Sequence, residues 1–282
     1  MVYNHVMTTV KIVGALNVTP DSFHDGGKYL SIEAAVERAG QMLNDGAEII
    51  EIGGESTGPK SPEVPLEEEL QRVIPVITAI RKAYPAAHIS VDTWKSAVAH
   101  EALTAGVMMI NDVTAGRSDS KMFTVLAHSS AQYVLMYSKD ATPRTSIHAQ
   151  HYDDVVKTVM SFLRERKAAA VSAGIPTDRI ILDPGLGHFV SSDPKYSFEI
   201  LRRLREFDTL GSPLFLSPSR KSFLAGARNL PTEERLPGTI AASVIAVLNG
   251  ASYIRTHDVR ELRRAFTEHP AAPQNSRSPG WS

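Results

Sequence analysis

Asn17, Asp92, Asn111, Asp112 and Asp183 carry amide and carboxylate oxygens; Ser219, Arg220, Lys221, Arg255 and His257 carry a hydroxyl, three cations and an imidazole. Each stands at the C-terminal end of a short apolar run, as do Glu55, Ser56 and Thr57. Carboxylates beside an amide recognise a heterocycle whose adjacent N–H groups pair with them. Arg, Lys and His together suit a phosphate or diphosphate. The residue types thus point to a phosphorylated or diphosphorylated nitrogen heterocycle. Cysteine is absent, so no thiolate nucleophile, disulfide or cysteine metal site is available. No HExxH pair and no aspartate-rich cluster offers an all-protein metal site.

Each residue also has a plain structural alternative. An Asp at a strand end serves equally as the N-cap of the next helix, which applies to Asp92, Asp112 and Asp183. Asn17 precedes "TPDS", a turn composition. Arg220 and Lys221 read as an exposed basic pair, Arg255 as half of a surface ion pair, and His257 as a satisfied structural histidine. What favours a site is the joint occurrence, a polar residue at nearly every strand end.

The elements that must position these residues are legible as an alternation. The runs "KIVGALNV" (from Lys11), "AEIIEIGG" (Ala47), "HISVDT" (His88), "MMINDV" (Met108), "QYVLMY" (Gln132), "RIILDPG" (Arg179), "PLFLSPS" (Pro213) and "SYIRTHD" (Ser252) read as buried parallel strands. Segments of helical period lie between them, clearest from Ser31, Pro65, Tyr152 and Gly238, and several end in Gly as a left-handed C-cap requires. About eight strands alternating with about eight helices predict a (β/α)8 TIM barrel, α/β and single-domain, over residues 1–268. A doubly wound sheet would carry a Gly-rich turn after strand one, and "NVTPDSF" is not one. In a barrel the strand ends meet at one mouth. The segment 269–282, rich in Pro and Ser, reads as a disordered tail.

Composition agrees. The chain has 282 residues, 43% hydrophobic and 22% charged, enough to bury a large core. A formal net charge of −1 gives no reason to expect a nucleic-acid partner. No run approaches the roughly 20 apolar residues of a membrane span. The opening "MVYNHVMTTVK" shows no charged-then-apolar signal pattern, so a cytoplasmic protein is expected.

At the level of motifs the chain resembles the dihydropteroate synthase family of pterin-binding barrels, from about Val13 to about Arg264. The pieces are "NVTPDSFHDGG", "GAEIIEIGGEST", "ISVDTWKSAVAHEALTAGVMMINDV", "LDPGLG", "SRKSF" and "IRTHDV". The resemblance implies a reaction. 6-Hydroxymethyl-7,8-dihydropterin diphosphate loses diphosphate, and the amine of p-aminobenzoate attacks the methylene, largely dissociatively, to give 7,8-dihydropteroate. Such a step needs positioning and charge stabilisation more than a covalent nucleophile.

Roles follow from the resemblance. It implies that Asp92, Asn111, Met136, Asp183 and Lys221 hold the pterin, with Lys221 also catalytic. It assigns the diphosphate to Asn17, Arg255 and His257, with Mg²⁺ as cofactor and Asn17 as its ligand. It assigns p-aminobenzoate to Phe23, Thr57, Phe189, Arg220 and Ser222, with Ser222 opening the helix after strand seven at an N-terminus suited to a carboxylate. Asp21 and Asp25, on a closing loop given backbone freedom by Gly26 and Gly27, are implied to be catalytic. Homodimers are common in the family, and the helix "TIAASVIAVLNG" is a candidate contact.

Three departures stand out. "GGESTGPKS" has Gly58 where the family carries arginine, with Lys60 nearby. "LGHFVSSDP" places His188, Phe189 and Val190 where most members read a Phe, a Gly and a Lys, and Ser217 replaces a common Gly. Both resemble the acquired, sulfonamide-insensitive members. The expectation is a working synthase with reduced sulfonamide sensitivity, in which the Phe189 ring clashes with a drug bulkier than the substrate. The rivals are a pterin-dependent methyltransferase serving a corrinoid protein, which "NVTPDSF", "SRKSF" and the Arg255/His257 pair oppose, and a non-catalytic pterin-binding homologue.

Overall fold

The structure, a computed structural model, describes residues 10–18 and 32–267. Asp21, Phe23 and Asp25, the glycines of their loop, and the expected tail lie outside the described residues. Eight parallel strands close into a barrel in sequence order: β1 (Lys11–Asn17), β2 (Ile49–Gly53), β3 (His88–Asp92), β4 (Met109–Asp112), β5 (Gln132–Met136), β6 (Ile180–Asp183), β7 (Leu214–Leu216) and β8 (Ala251–Thr256). Each overlies one of the apolar runs named above. Helices α1 (Ile32–Asn44), α2 (Leu66–Ala83), α3 (Ser96–Thr104), α4 (Met122–Ala127), α5 (Val155–Ser172), α6 (Pro194–Arg202), α7 (Leu236–Leu248) and α8 (Val259–Thr267) alternate with the strands. Among the described residues no helix is long and apolar enough to cross a membrane.

The glycine signals act as C-caps. Gly46, Gly106 and Gly174 have φ of +100°, +93° and +99°, each two residues past a helix. In each case the following N–H reaches back to the helix, as from Ala47 to the Met42 carbonyl at 2.9 Å, which satisfies an otherwise orphaned acceptor. The chain can then turn straight into the next strand.

Side chains alternate across each strand, so the barrel interior is built in layers. Val13, Ile49, Met109, Val134, Ile181, Phe215 and Tyr253 fill one buried apolar layer. Two residues further along the same strands come Ala15, Glu51, Asn111, Met136, Asp183, Ser217 and Arg255, a mostly polar layer. Asn17, Gly53 and Asp92 follow at the rim in register with one another. The apolar plug below and the outer core between strands and helices leave the polar layers nowhere to face but the mouth.

One expectation fails after β7. Ser222 does not open an α-helix; it begins a single 3₁₀ turn, Ser222–Leu224. Gly226 and Asn229 take positive φ (+63° and +49°), and Pro231 follows, so the helix cannot propagate. The α-helix starts only at Leu236, with a proline in its first turn. A one-turn N-terminus therefore replaces the helix terminus expected to face a carboxylate.

Candidate active site

The strand ends surround a cavity of about 1020 Å³. Asn17, Thr57, Asp92, Phe189, Lys221, Ser222, Arg255 and His257 all line it. Beneath them Asn111, Met136 and Asp183 are buried in the polar layer, with Met136 beside Asp183 in strand register.

The organiser of this layer is Glu51, fully buried on β2 and not among the residues singled out from the sequence. One carboxylate oxygen accepts from Asn111 Nδ2 at 3.1 Å and Ser90 Oγ at 3.3 Å; the other accepts from Arg255 Nε. Because Glu51 takes the amide N–H of Asn111, the amide oxygen points the other way. That Oδ1 is buried without a protein partner among the described residues. Asp183 repeats the pattern: Oδ1 accepts from Gly185 N at 2.7 Å, and Oδ2 is buried and unpartnered. Buried acceptors left open in this way are costly, and they match a ligand edge bearing N–H donors.

The charges are tuned by burial. Burial pushes Asp183 up to about 6, against the pull of the Lys221 ammonium. Lys221 is pushed down to about 8 by the same burial, partly offset by Asp183. Its Nζ lies 5.0 Å from the centre of the Phe189 ring. Asp92 rises to about 7 through burial and the nearby Glu51 charge, opposed by Arg255, whose Nη2 is 3.5 Å from Asp92 Oδ2.

His257 is pushed down to about 4 by burial and by Arg255, so the ring is neutral near pH 7. Ser219 Oγ accepts from His257 N at 3.2 Å and Thr256 Oγ1 at 3.5 Å, which leaves its O–H to donate to His257 Nδ1 at 3.0 Å. Nε2 then carries the proton, a neutral donor at the mouth. Gly53 lies between Asn17 and Asp92 at the rim; a Cβ there would make ordinary contacts of 3.6 Å with Asn17 Oδ1 and 3.8 Å with Asp92 Cβ.

The structure does not bring Arg220 to the cavity. Its backbone takes φ +54°, and its guanidinium grips Asp258 with two bonds of 2.8 and 2.7 Å. Asp112 is likewise structural, accepting from Thr114 N, Thr114 Oγ1, Gly116 N and the Tyr133 hydroxyl. Among the described residues no group of three or more His, Asp or Glu is placed to hold a metal.

Residues 13–257 match the family of pterin binding enzymes. The chain is 41% identical to the dihydropteroate synthase of Bacillus subtilis (strain 168) over 253 residues, 90% of this chain and 85% of that one. The chain belongs to the dihydropteroate synthase family. It superposes on the synthase of Xanthomonas albilineans solved with 4-aminobenzoic acid at a TM-score of 0.85 and 39% identity, covering 93% of this chain and 92% of that one. The same organism's synthase solved with 7,8-dihydropteroate gives a TM-score of 0.81 and 38% identity, with the same coverage. The family is one of transferases with a TIM-barrel fold acting in folate biosynthesis. Glu51, absent from the sequence-based set, does carry a signal. It shares the parity of Ile49 and Gly53 in "AEIIEIGG", which points it inward.

Proposed function

We propose that this site condenses 6-hydroxymethyl-7,8-dihydropterin diphosphate with p-aminobenzoate. The observation that carries the reading is the pair of open buried acceptors, Asn111 Oδ1 and Asp183 Oδ2, below a cationic rim. Asp183 accepts from the 2-amino and ring N–H groups of the pterin, and Asn111 and Asp92 accept from neighbouring donors. Met136 packs beneath the ring. Lys221 donates to the ring's carbonyl or N5 edge and Arg255, His257 and Asn17 take the diphosphate. The C–O bond to the diphosphate breaks with its electron pair on the leaving oxygen. The arylamine nitrogen then closes a C–N bond to the methylene and loses its proton. Arg255 and the His257 Nε2–H hold charge as it develops on the leaving group.

Mg²⁺ fits the donors present only as a partner of the diphosphate. Asn17 offers one hard oxygen at an open rim, and this ion takes few protein ligands and keeps its waters. When bound it would neutralise diphosphate charge. Thr57, Phe189 and Ser222 line the same cavity and border p-aminobenzoate. Asp21, Phe23 and Asp25 complete the site from the loop after β1. Arg220 acts from behind the wall through Asp258. Phe189 lowers sensitivity to sulfonamides. The enzyme works in the cytoplasm as a homodimer, and exposed Ile245 and Leu248 on α7 suit a subunit contact.

Calorimetric titration of the pterin diphosphate into wild type and Asp183→Asn tests the reading. Loss of the charged acceptor should weaken binding by roughly tenfold to a hundredfold. Equal affinities would contradict it.

A further inference from the structure

Two separate pieces of backbone wall the outer half of the cavity. One is the segment 55–64 after β2; the other is the turn Gly187–Phe189 after β6. Neither is held by a side chain at position 58, where a glycine stands. A third segment, between β5 and α5, reaches both.

Arg144 on that segment holds the first wall. Its Nε donates to the Ser61 carbonyl at 3.0 Å and its Nη2 to the Pro62 carbonyl at 2.9 Å. Nη2 also pairs with Glu55 Oε1. Glu55 is buried and is itself fixed by Val64 N at 3.2 Å, Trp94 Nε1 at 3.1 Å and Lys95 Nζ at 2.6 Å. Lys95 in turn pairs with buried Glu69, so two carboxylates face two cations. Removing Arg144 would leave one cation for both.

Thr145 joins the two walls. Its N–H donates to the Thr57 carbonyl at 3.2 Å, and its hydroxyl, with one proton to give, lies 2.8 Å from the His188 carbonyl and 3.0 Å from Asp140 Oδ2. At the next residue of that turn, Lys139 N donates to the Phe189 carbonyl at 2.8 Å. Internal bonds stiffen the bridging segment. Asp140 accepts from Ser146 N at 2.9 Å and Ser146 Oγ at 2.8 Å and pairs with Lys139.

We propose that Arg144 and Thr145 are positioning residues that set the gap between Thr57 and Phe189, and with it the affinity for the aryl amine. Neither needs to touch the reacting atoms. Arg144 supplies from the β5–α5 connection the anchoring that an arginine at position 58 would supply from within the segment. The inference deepens the proposed condensation and rests on it for the identity of the aryl substrate.

The test compares Arg144→Met, Arg144→Lys, Thr145→Val and Thr145→Ser with wild type, varying p-aminobenzoate at saturating pterin diphosphate and the reverse. Arg144→Met should raise KM for p-aminobenzoate about tenfold or more, since small misplacements of a binding wall are costly. Its kcat and its KM for the pterin diphosphate should stay within about twofold of wild type, because the pterin layer is untouched. Lysine at 144 keeps the charge opposite Glu55 and should recover part of the loss. Thr145→Ser should match wild type and Thr145→Val should not. Hydrogen exchange gives a readout independent of turnover: Arg144→Met should speed exchange within 55–64 while the strands keep their protection. A parallel change in both KM values and kcat, or unaltered exchange in 55–64, would overturn the inference. An inactive wild type would sink the condensation instead, and exchange would still judge the clamp.

Discussion

Lys221 and Phe189 face each other across 5.0 Å, ammonium to ring centre, so the proposed pterin and aryl ends of the cavity share one wall. Between them Gly187 takes φ +66°, a left-handed conformation that favours glycine. In the proposed binding mode, Phe189 is the side chain that an inhibitor larger than p-aminobenzoate would meet first.

Replacing Phe189 by Gly should lower the sulfonamide inhibition constant by roughly tenfold, the scale of removing one modest steric conflict. The KM for p-aminobenzoate should rise, since the ring forms one side of the gap that holds the substrate. An inhibition constant equal to that of wild type would remove Phe189 as the discriminating residue.

The pH dependence of pterin binding follows from Asp183 and Lys221. In the proposed site Asp183 binds as the carboxylate, and its ordinary value of 3.8 is raised to about 6. Lys221 binds as the ammonium, and its ordinary 10.5 is lowered to about 8. Affinity should thus be highest between about pH 6 and 8, falling toward acid as Asp183 protonates and toward alkali as Lys221 loses its proton. His257, already neutral, adds no step in that window, whereas Asp92, raised to about 7, ionises within it and becomes the stronger acceptor toward pH 8. Titrations of the pterin diphosphate at pH 5, 7 and 9 check this. A constant affinity from pH 5 to 7 would be incompatible with Asp183 as the acceptor.

Asp92→Asn should stabilise the protein while weakening the site. The folded state raises Asp92 from 3.8 to about 7, so it holds a proton that the unfolded chain has released between those values. Stability associated with this group is therefore lost as pH rises from 3.8 and stays lost above about 7. An amide carries no such penalty. Its advantage should be near zero at pH 4 and reach a Tm gain of roughly 5 °C at pH 8. A variant less stable than wild type at pH 8 would contradict the electrostatic reading.

The barrel was legible because each strand is a mainly apolar run with a polar stop and the long helices have their own period, several closed by a glycine cap. Asn17, Asp92, Asp183, Lys221, Arg255 and His257 were legible for the same reason: strand parity and strand ends fix where they go. Glu51 follows that rule too, but a charge inside an apolar strand reads as noise until Asn111 and Arg255 are seen to meet it. Arg220 departs from expectation because its left-handed backbone turns the side chain toward Asp258, and φ is not written in residue type. Ser222 lost its helix to Gly226, Asn229 and Pro231, breakers that stand in the sequence just beyond "SRKSF". Arg144 could not be found at all from spacing, since its partners Glu55, Ser61 and Pro62 lie more than eighty residues away.

The central claim is tested most directly by diphosphate release from the pterin diphosphate and Mg²⁺, with p-aminobenzoate present or omitted. The account predicts release that requires p-aminobenzoate and that yields 7,8-dihydropteroate in equal amount. No release despite tight pterin binding would contradict it and leave a pterin-binding protein without this chemistry.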